Sequence, residues 1–73
     1  EKIVREYAQG QVRVRHHGEV ARIEVEEAMI PVLMRPDIRK EITARMKKVG
    51  FRYVTLDMVG YRMGSLNESI DKK

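Results

Sequence analysis

Charged and apolar residues alternate in two short runs near the start of the chain. Arg13 and Arg15 are separated by one valine, and Arg22 and Glu24 are separated by one isoleucine. In an extended strand successive side chains point to opposite faces, so the two members of each pair share a face about 7 Å apart. Planar guanidinium forks at this spacing can converge on a phosphate or a carboxylate. The pattern predicts an anion-binding face with Arg13, Arg15 and Arg22 as the binding residues.

Carboxylates near these arginines allow other interpretations. Glu24 lies on the same predicted face, and Asp57 lies on the corresponding face of a later run. Carboxylate oxygens bind hard cations, which makes Glu24 a candidate metal ligand. Glu24, Glu26 or Asp57 could instead pair with the arginines in a cross-strand ladder that needs no ligand. The residue pattern alone does not decide between a ligand site and an ion-pair ladder.

The hydrophobic periodicity predicts the elements that position these side chains. Strands are predicted over residues 11–16, 19–26 and 51–58, and the turn His17-Gly18 joins the first two into a hairpin. Helices are predicted over residues 1–9, 27–34 and 36–48. These elements predict an α+β fold: a small three-stranded antiparallel sheet, made of the hairpin and one strand after a helical crossover, with two or three helices on one face. The crossover can give a strand order of 2-1-3, and an additional upstream strand would instead complete a ferredoxin-like sheet.

Length and composition predict one domain over residues 1–73, with fraying expected at residues 68–73. A chain of this length buries only about 60–65% of its unfolded surface, which leaves room for one core. No cysteine is present, which excludes disulfides and cysteine nucleophiles and favours a cytoplasmic protein. No apolar run is long enough to span a membrane. The chain starts at Glu1 without a methionine or a signal-like segment, and this predicts a piece of a longer protein.

The charge pattern of the chain indicates which class of partner it is suited to bind. Fifteen basic and eleven acidic residues are interspersed, and the chain has three tyrosines, one phenylalanine and no tryptophan. A mixed-charge surface with few stacking side chains argues against nucleic acid as the partner. Two alternative hypotheses stay. One is a small RNA-binding module that uses the same arginines, and the other is a structural oligomerisation module in which the arginines only pair with Glu24 and Asp57. The sequence supplies no nucleophile with its base, so this chain alone is not expected to catalyse a reaction.

Four motifs follow one another in order along most of the chain. They are Val12-Arg13-Val14-Arg15-His16-His17-Gly18, Ala21-Arg22-Ile23-Glu24-Val25, Gly50-Phe51-Arg52-Tyr53-Val54-Thr55-Leu56-Asp57 and Gly60-Tyr61-Arg62-Met63-Gly64-Ser65-Leu66-Asn67-Glu68. Together they resemble the C-terminal region of the LarE-type family, ATP-dependent sacrificial sulfur transferases of the PP-loop ATP pyrophosphatase superfamily. In that family an upstream PP-loop domain binds ATP and adenylylates a carboxylate of a nicotinic-acid-derived precursor. Sulfur then moves toward the nickel-pincer cofactor of lactate racemase.

The resemblance implies a role for several residues of this chain. Arg13 and Arg15 match the family's Arg-x-Arg pair and are expected to hold the phosphate of a substrate or nucleotide, and Glu24 matches an acidic residue associated with a metal. Structural or interdomain roles are implied for three further residues: Asp57, Ser65 and Asn67. ATP and Mg²⁺ are expected in the parent enzyme but not in this chain alone, where a divalent metal is the remaining candidate cofactor. The expected partners are the upstream PP-loop domain, other copies of the parent in a homo-oligomer and a phosphate-bearing small molecule.

Overall fold

The computed structural model describes residues 2–61, which form three strands, three short helical segments and one longer helix. The helical segments are α1 (Lys2–Arg5), a 3₁₀ turn (Glu27–Met29), α2 (Ile30–Leu33) and α3 (Pro36–Val49). The strands are β1 (Val12–His17), β2 (Val20–Val25) and β3 (Tyr53–Leu56). The predicted α+β class is confirmed, although α1 is shorter than the helix predicted over residues 1–9. Within the described residues, no helix is long and apolar enough to cross a membrane.

The predicted hairpin forms from β1 and β2, which pair antiparallel. Its loop is Gly18-Glu19, one residue later than predicted, since His17 pairs with Val20 and belongs to β1. Gly18 has a φ of +60°, and glycine at the first position of a two-residue loop is typical of type II′ turns, whose twist matches that of paired strands. The turn therefore sets the register that brings the charged residues of the two strands together.

The position of β3 differs from the prediction. β3 pairs parallel with β2, from Val20 opposite Tyr53 to Ile23 opposite Leu56, and the strand order is β1-β2-β3. The predicted order 2-1-3 and the fully antiparallel sheet are therefore wrong, and the sheet is mixed. Burial explains the order, because four of six residues in β2 are apolar whereas four of six in β1 are arginine or histidine. The central strand loses the most contact with water, so the more apolar strand occupies the centre.

The core lies between one face of the sheet and the helices. Its buried apolar members are Val4, Ala8, Val12, Ala21, Ile23, Val25, Leu33, Ile42 and Met46. α3 begins at Pro36 and presents Ile42 and Met46 to the core, in agreement with its apolar spacing. Gly50 ends α3 with a φ of +132°, and its N–H donates to the carbonyls of Met46 and Lys47. The opposite face of the sheet carries the charged residues of β1 and β2.

An exposed ion pair joins α3 to the segment that follows α1. Arg45 donates two hydrogen bonds to the carboxylate of Glu6, at 2.7 and 3.0 Å, and one to the hydroxyl of Tyr7 at 3.3 Å. The hydrogen bond from Arg45 holds the pKa of the Glu6 carboxyl below its ordinary value, and the same contact raises the pKa of Arg45. A bidentate fork of this kind orients both side chains. It ties the start of the chain to the long helix.

Candidate anion-binding site

The charged face of the sheet is built by β1 and β2. Arg13 lies opposite Glu24, and Arg15 lies opposite Arg22 in the antiparallel register. Because these residues alternate with the core residues of both strands, all four point to the side away from the core. The structure thus brings together the four residues that the alternation placed on one face. We call these four residues the arginine face; three arginines and one glutamate give it a formal charge of +2.

Glu24 bridges two of the three arginines. Its side chain is only 10% exposed, and its Oε2 accepts hydrogen bonds from Nε of Arg15 at 3.1 Å and from Nη2 of Arg22 at 3.0 Å. Charge-assisted hydrogen bonds are about twice as strong as neutral ones. A nearly buried carboxylate depends on such partners, because it has lost most of its contact with water. Part of the ion-pair ladder considered from the sequence therefore forms, between Glu24 and the arginines Arg15 and Arg22.

Arg22 has fewer donors to offer a ligand than Arg15. Its Nε atom is buried and finds no hydrogen-bond acceptor within residues 2–61, and its Nη2 is bonded to Glu24. Arg15 bonds to Glu24 through Nε, which leaves both terminal nitrogens of its fork without a described partner. A ligand cannot reach a buried nitrogen. The geometry therefore leaves more N–H donors available on Arg13 and Arg15 than on Arg22.

Arg13 has a different environment from the other two arginines. It forms no ion pair with any residue that the structure describes. Its guanidinium carbon lies over the ring of Tyr61, 5.3 Å from the ring centroid. A cation at this distance from an aromatic face is attracted by the quadrupole of the ring. The guanidinium is therefore restrained without an oxygen partner from residues 2–61.

The backbone at Tyr61 is attached to the end of β2. The Tyr61 N–H donates to the carbonyl of Val25 at 2.6 Å. Gly60 is buried with a φ of +97°, and a Cβ at this position would lie 2.9 Å from the same carbonyl oxygen. Only glycine allows this approach without displacing β2. Tyr61 is not among the site residues predicted from the sequence, although a glycine directly before it is a signal for a close backbone approach.

The structure gives the other acidic residue considered from the sequence, Asp57, a local role after β3. Asp57 accepts a hydrogen bond from the backbone N–H of Val59 at 2.9 Å, which closes a turn after β3. Residues 2–61 contain no group of three or more histidine, cysteine, aspartate or glutamate side chains that could hold a metal ion. The role of Glu24 as a metal ligand stays a prediction. Ser65 and Asn67 lie outside the described residues.

An apolar groove of about 400 Å³ opens on the other side of the sheet, between β3 and the helices α2 and α3. Its walls include Ile23, Leu33 and Ile42. Two methionines of its lining are well exposed, Met34 at 47% and Met58 at 89%. These two side chains add exposed apolar surface to the groove. The chain thus has a charged face and, on its other side, an apolar groove.

Comparison with known proteins identifies the relatives of this chain. No protein-family model matches it. It is 40% identical over 72 residues to the pyridinium-3,5-bisthiocarboxylic acid mononucleotide synthase of Lactiplantibacillus plantarum, a match that covers 99% of this chain and 25% of that protein. It is 36% identical over 69 residues to the uncharacterized protein slr1717 of Synechocystis sp., covering 94% of this chain and 26% of that protein. The chain spans about a quarter of the length of these curated relatives. The resemblance noted in the sequence is confirmed, and the chain carries the C-terminal region of the LarE-type family.

Proposed function

We propose that this chain is the C-terminal domain of a LarE-type, ATP-dependent sulfur transferase and that its arginine face binds a phosphate of the substrate or nucleotide. The relative from L. plantarum is named as the synthase of a mononucleotide, and a mononucleotide carries a phosphate monoester. Guanidinium groups bind phosphate through paired N–H donors. The observation that carries the proposal is the placement of Arg13 and Arg15 on one face, with Glu24 orienting Arg15 and leaving its terminal nitrogens open.

In this proposal, the reacting groups belong to the rest of the parent protein. An upstream PP-loop domain would bind ATP and Mg²⁺ and activate a carboxylate of the precursor. The arginine face would hold the phosphate at a distance from that carboxylate, which converts an encounter in solution into a positioned reaction. This chain has no cysteine, so the sulfur would come from elsewhere. The product would serve the synthesis of a nickel-pincer cofactor in the cytoplasm.

The apolar groove is proposed as the contact with the upstream domain of the same polypeptide. The relatives are about four times as long as the region matched here, so a large part of the parent is available to cover it. Met34 and Met58 would lose water on docking, and methionine side chains adapt readily to an irregular apolar partner. Docking on this side leaves the arginine face open toward the ligand.

Phosphate binding is tested with a double variant of the full-length parent enzyme, Arg13→Ala with Arg15→Ala. Binding of AMP and of inorganic phosphate is measured by calorimetry at low salt. We expect a loss of at least about a hundredfold in affinity, because two charged hydrogen-bonding groups are removed at about 1.5–3 kcal/mol each. Circular dichroism should show an unchanged fold, because both side chains lie outside the core.

A matched control removes the same charge at other sites. Arg35→Ala with Arg52→Ala deletes two exposed arginines that pair with Asp37 and Glu19, away from the arginine face. Equal losses in the two double variants would mean that only net charge matters, and would contradict the proposed site. Binding of a short RNA alone, falling steeply with salt, would instead favour the RNA-binding alternative.

A further inference from the structure

We propose that Tyr61 is a positioning residue that fixes the guanidinium of Arg13 on the arginine face. The role in ligand binding rests on the proposed phosphate site, whereas the contact itself does not. Glu24 restrains Arg15 and Arg22 through hydrogen bonds, but Arg13 has no such bond to a residue in the described range. The group found against it is the Tyr61 ring, 5.3 Å from the guanidinium carbon.

The backbone of Tyr61 is anchored independently of Arg13. Tyr61 donates its N–H to the carbonyl of Val25, the last residue of β2. Val25 pairs across the sheet with Val12, the neighbour of Arg13 in β1. The chain can approach Val25 only because Gly60 has no Cβ and adopts a φ of +97°. The backbone that carries the ring is thus attached to the strand pair that carries Arg13, which keeps Tyr61 within reach of the guanidinium.

The chemical nature of the group that holds Arg13 affects how well this arginine can bind an anion. A carboxylate that held Arg13 would use up its N–H donors and cancel its charge. An aromatic ring restrains the long side chain while leaving the guanidinium charged and its donors without an oxygen partner. Restraining a flexible side chain in advance lowers the entropy lost when a ligand binds. Tyr61 therefore prepares Arg13 for an oxyanion without taking up an N–H donor, whereas Glu24 occupies the Nε donor of Arg15.

The first test needs no ligand. Protons on the arginine side chain that lie against an aromatic ring are shifted by its ring current, so NMR of the 73-residue chain reports the contact directly. We expect the Arg13 δ protons to be shifted in the original chain and in Tyr61→Phe, which keeps the ring. They should return to ordinary values in Tyr61→Leu. Ordinary shifts in the original chain would overturn the proposal without any variant.

The second test measures phosphate affinity in a double-variant cycle. At low salt, Tyr61→Leu should weaken inorganic phosphate binding by about two- to fivefold, the range expected for an exposed cation–π contact. Tyr61→Phe should bind like the original chain. In the Arg13→Ala background, Tyr61→Leu should have no further effect, because the residue that it positions is gone. A purely structural role would weaken binding in both backgrounds and would contradict the proposal.

The two tests separate failure of this inference from failure of the proposed function. If Arg13→Ala leaves phosphate affinity unchanged, the phosphate site is wrong, and the ring-current shift still decides whether Tyr61 holds Arg13. If Arg13→Ala weakens binding but Tyr61→Leu does not, the phosphate site stands and the positioning role of Tyr61 is overturned.

Discussion

Replacement of Glu24 by glutamine tests whether one carboxylate organises the arginine face. The amide has nearly the same shape, so Glu24→Gln removes the charge but not the packing. It weakens the hydrogen bonds from Arg15 and Arg22, which measure 3.1 and 3.0 Å. The change also raises the formal charge of the face from +2 to +3.

The size of the effect follows from burial. A hydrogen bond to a charged group contributes about 1.5–3 kcal/mol, but the side chains of Arg15 and Arg22 are 39% and 40% exposed, so solvent screens both pairs. We expect Glu24→Gln to lower the free energy of unfolding by about 1–2 kcal/mol in total. For a domain of this size that corresponds to a fall in Tm of about 5–15 °C. Urea and thermal unfolding followed by circular dichroism measure both quantities.

Phosphate should partly restore the stability of this variant. The guanidinium groups that lose the carboxylate become free for an oxyanion, so Glu24→Gln should gain more from added phosphate than the original chain does. At a phosphate concentration ten times its Kd, binding to the folded state adds about 1.4 kcal/mol. Equal stabilisation of both proteins would show that Glu24 does not compete with phosphate for these arginines.

The control is the same substitution at the loop of the hairpin. Glu19 pairs with Arg52 at 3.2 Å, but the two side chains are 64% and 67% exposed. An exposed pair of this kind contributes little, so Glu19→Gln should change stability by less than about 0.5 kcal/mol. If Glu24→Gln changed stability as little as Glu19→Gln, the bridging role of Glu24 would be refuted.

Two further predictions concern the rest of the fold. Gly60→Ala should lower the free energy of unfolding by about 1–3 kcal/mol, as measured by urea denaturation. The new Cβ would lie 2.9 Å from the Val25 carbonyl, in a backbone conformation that disfavours side chains. Gly18→Ala should lower the free energy of unfolding by less, because nothing lies within 4 Å of its new Cβ. The ion pair of Glu6 with Arg45 should stabilise the fold above the ordinary pKa of a glutamate and stop doing so as pH falls through the depressed pKa of Glu6. The Tm difference between the original chain and Glu6→Gln should therefore be present at pH 7 and vanish in acid, and a difference independent of pH would contradict this.

Much of the local structure was predictable because it depends on short-range patterns. The alternation in β1 and β2 predicted which side chains share the charged face, and the register bears this out. Pro36 and Gly50 mark the ends of α3 within one residue, since proline suits a first turn and glycine tolerates the positive φ that ends a helix. The resemblance to the LarE-type family also required only the order and spacing of motifs, and the 40% identity confirms it.

The sequence by itself therefore determined the class of fold, the two faces of the hairpin and the family of the chain. Only the tertiary structure decided that β3 joins β2 rather than β1, that Glu24 binds Arg15 and Arg22 rather than the directly opposed Arg13, and that Tyr61 reaches Arg13. The physical reason is the range of the interactions. Periodicity and turn chemistry act between neighbours in the sequence, whereas strand order and the partners of long side chains depend on competition among residues that only the folded chain brings together.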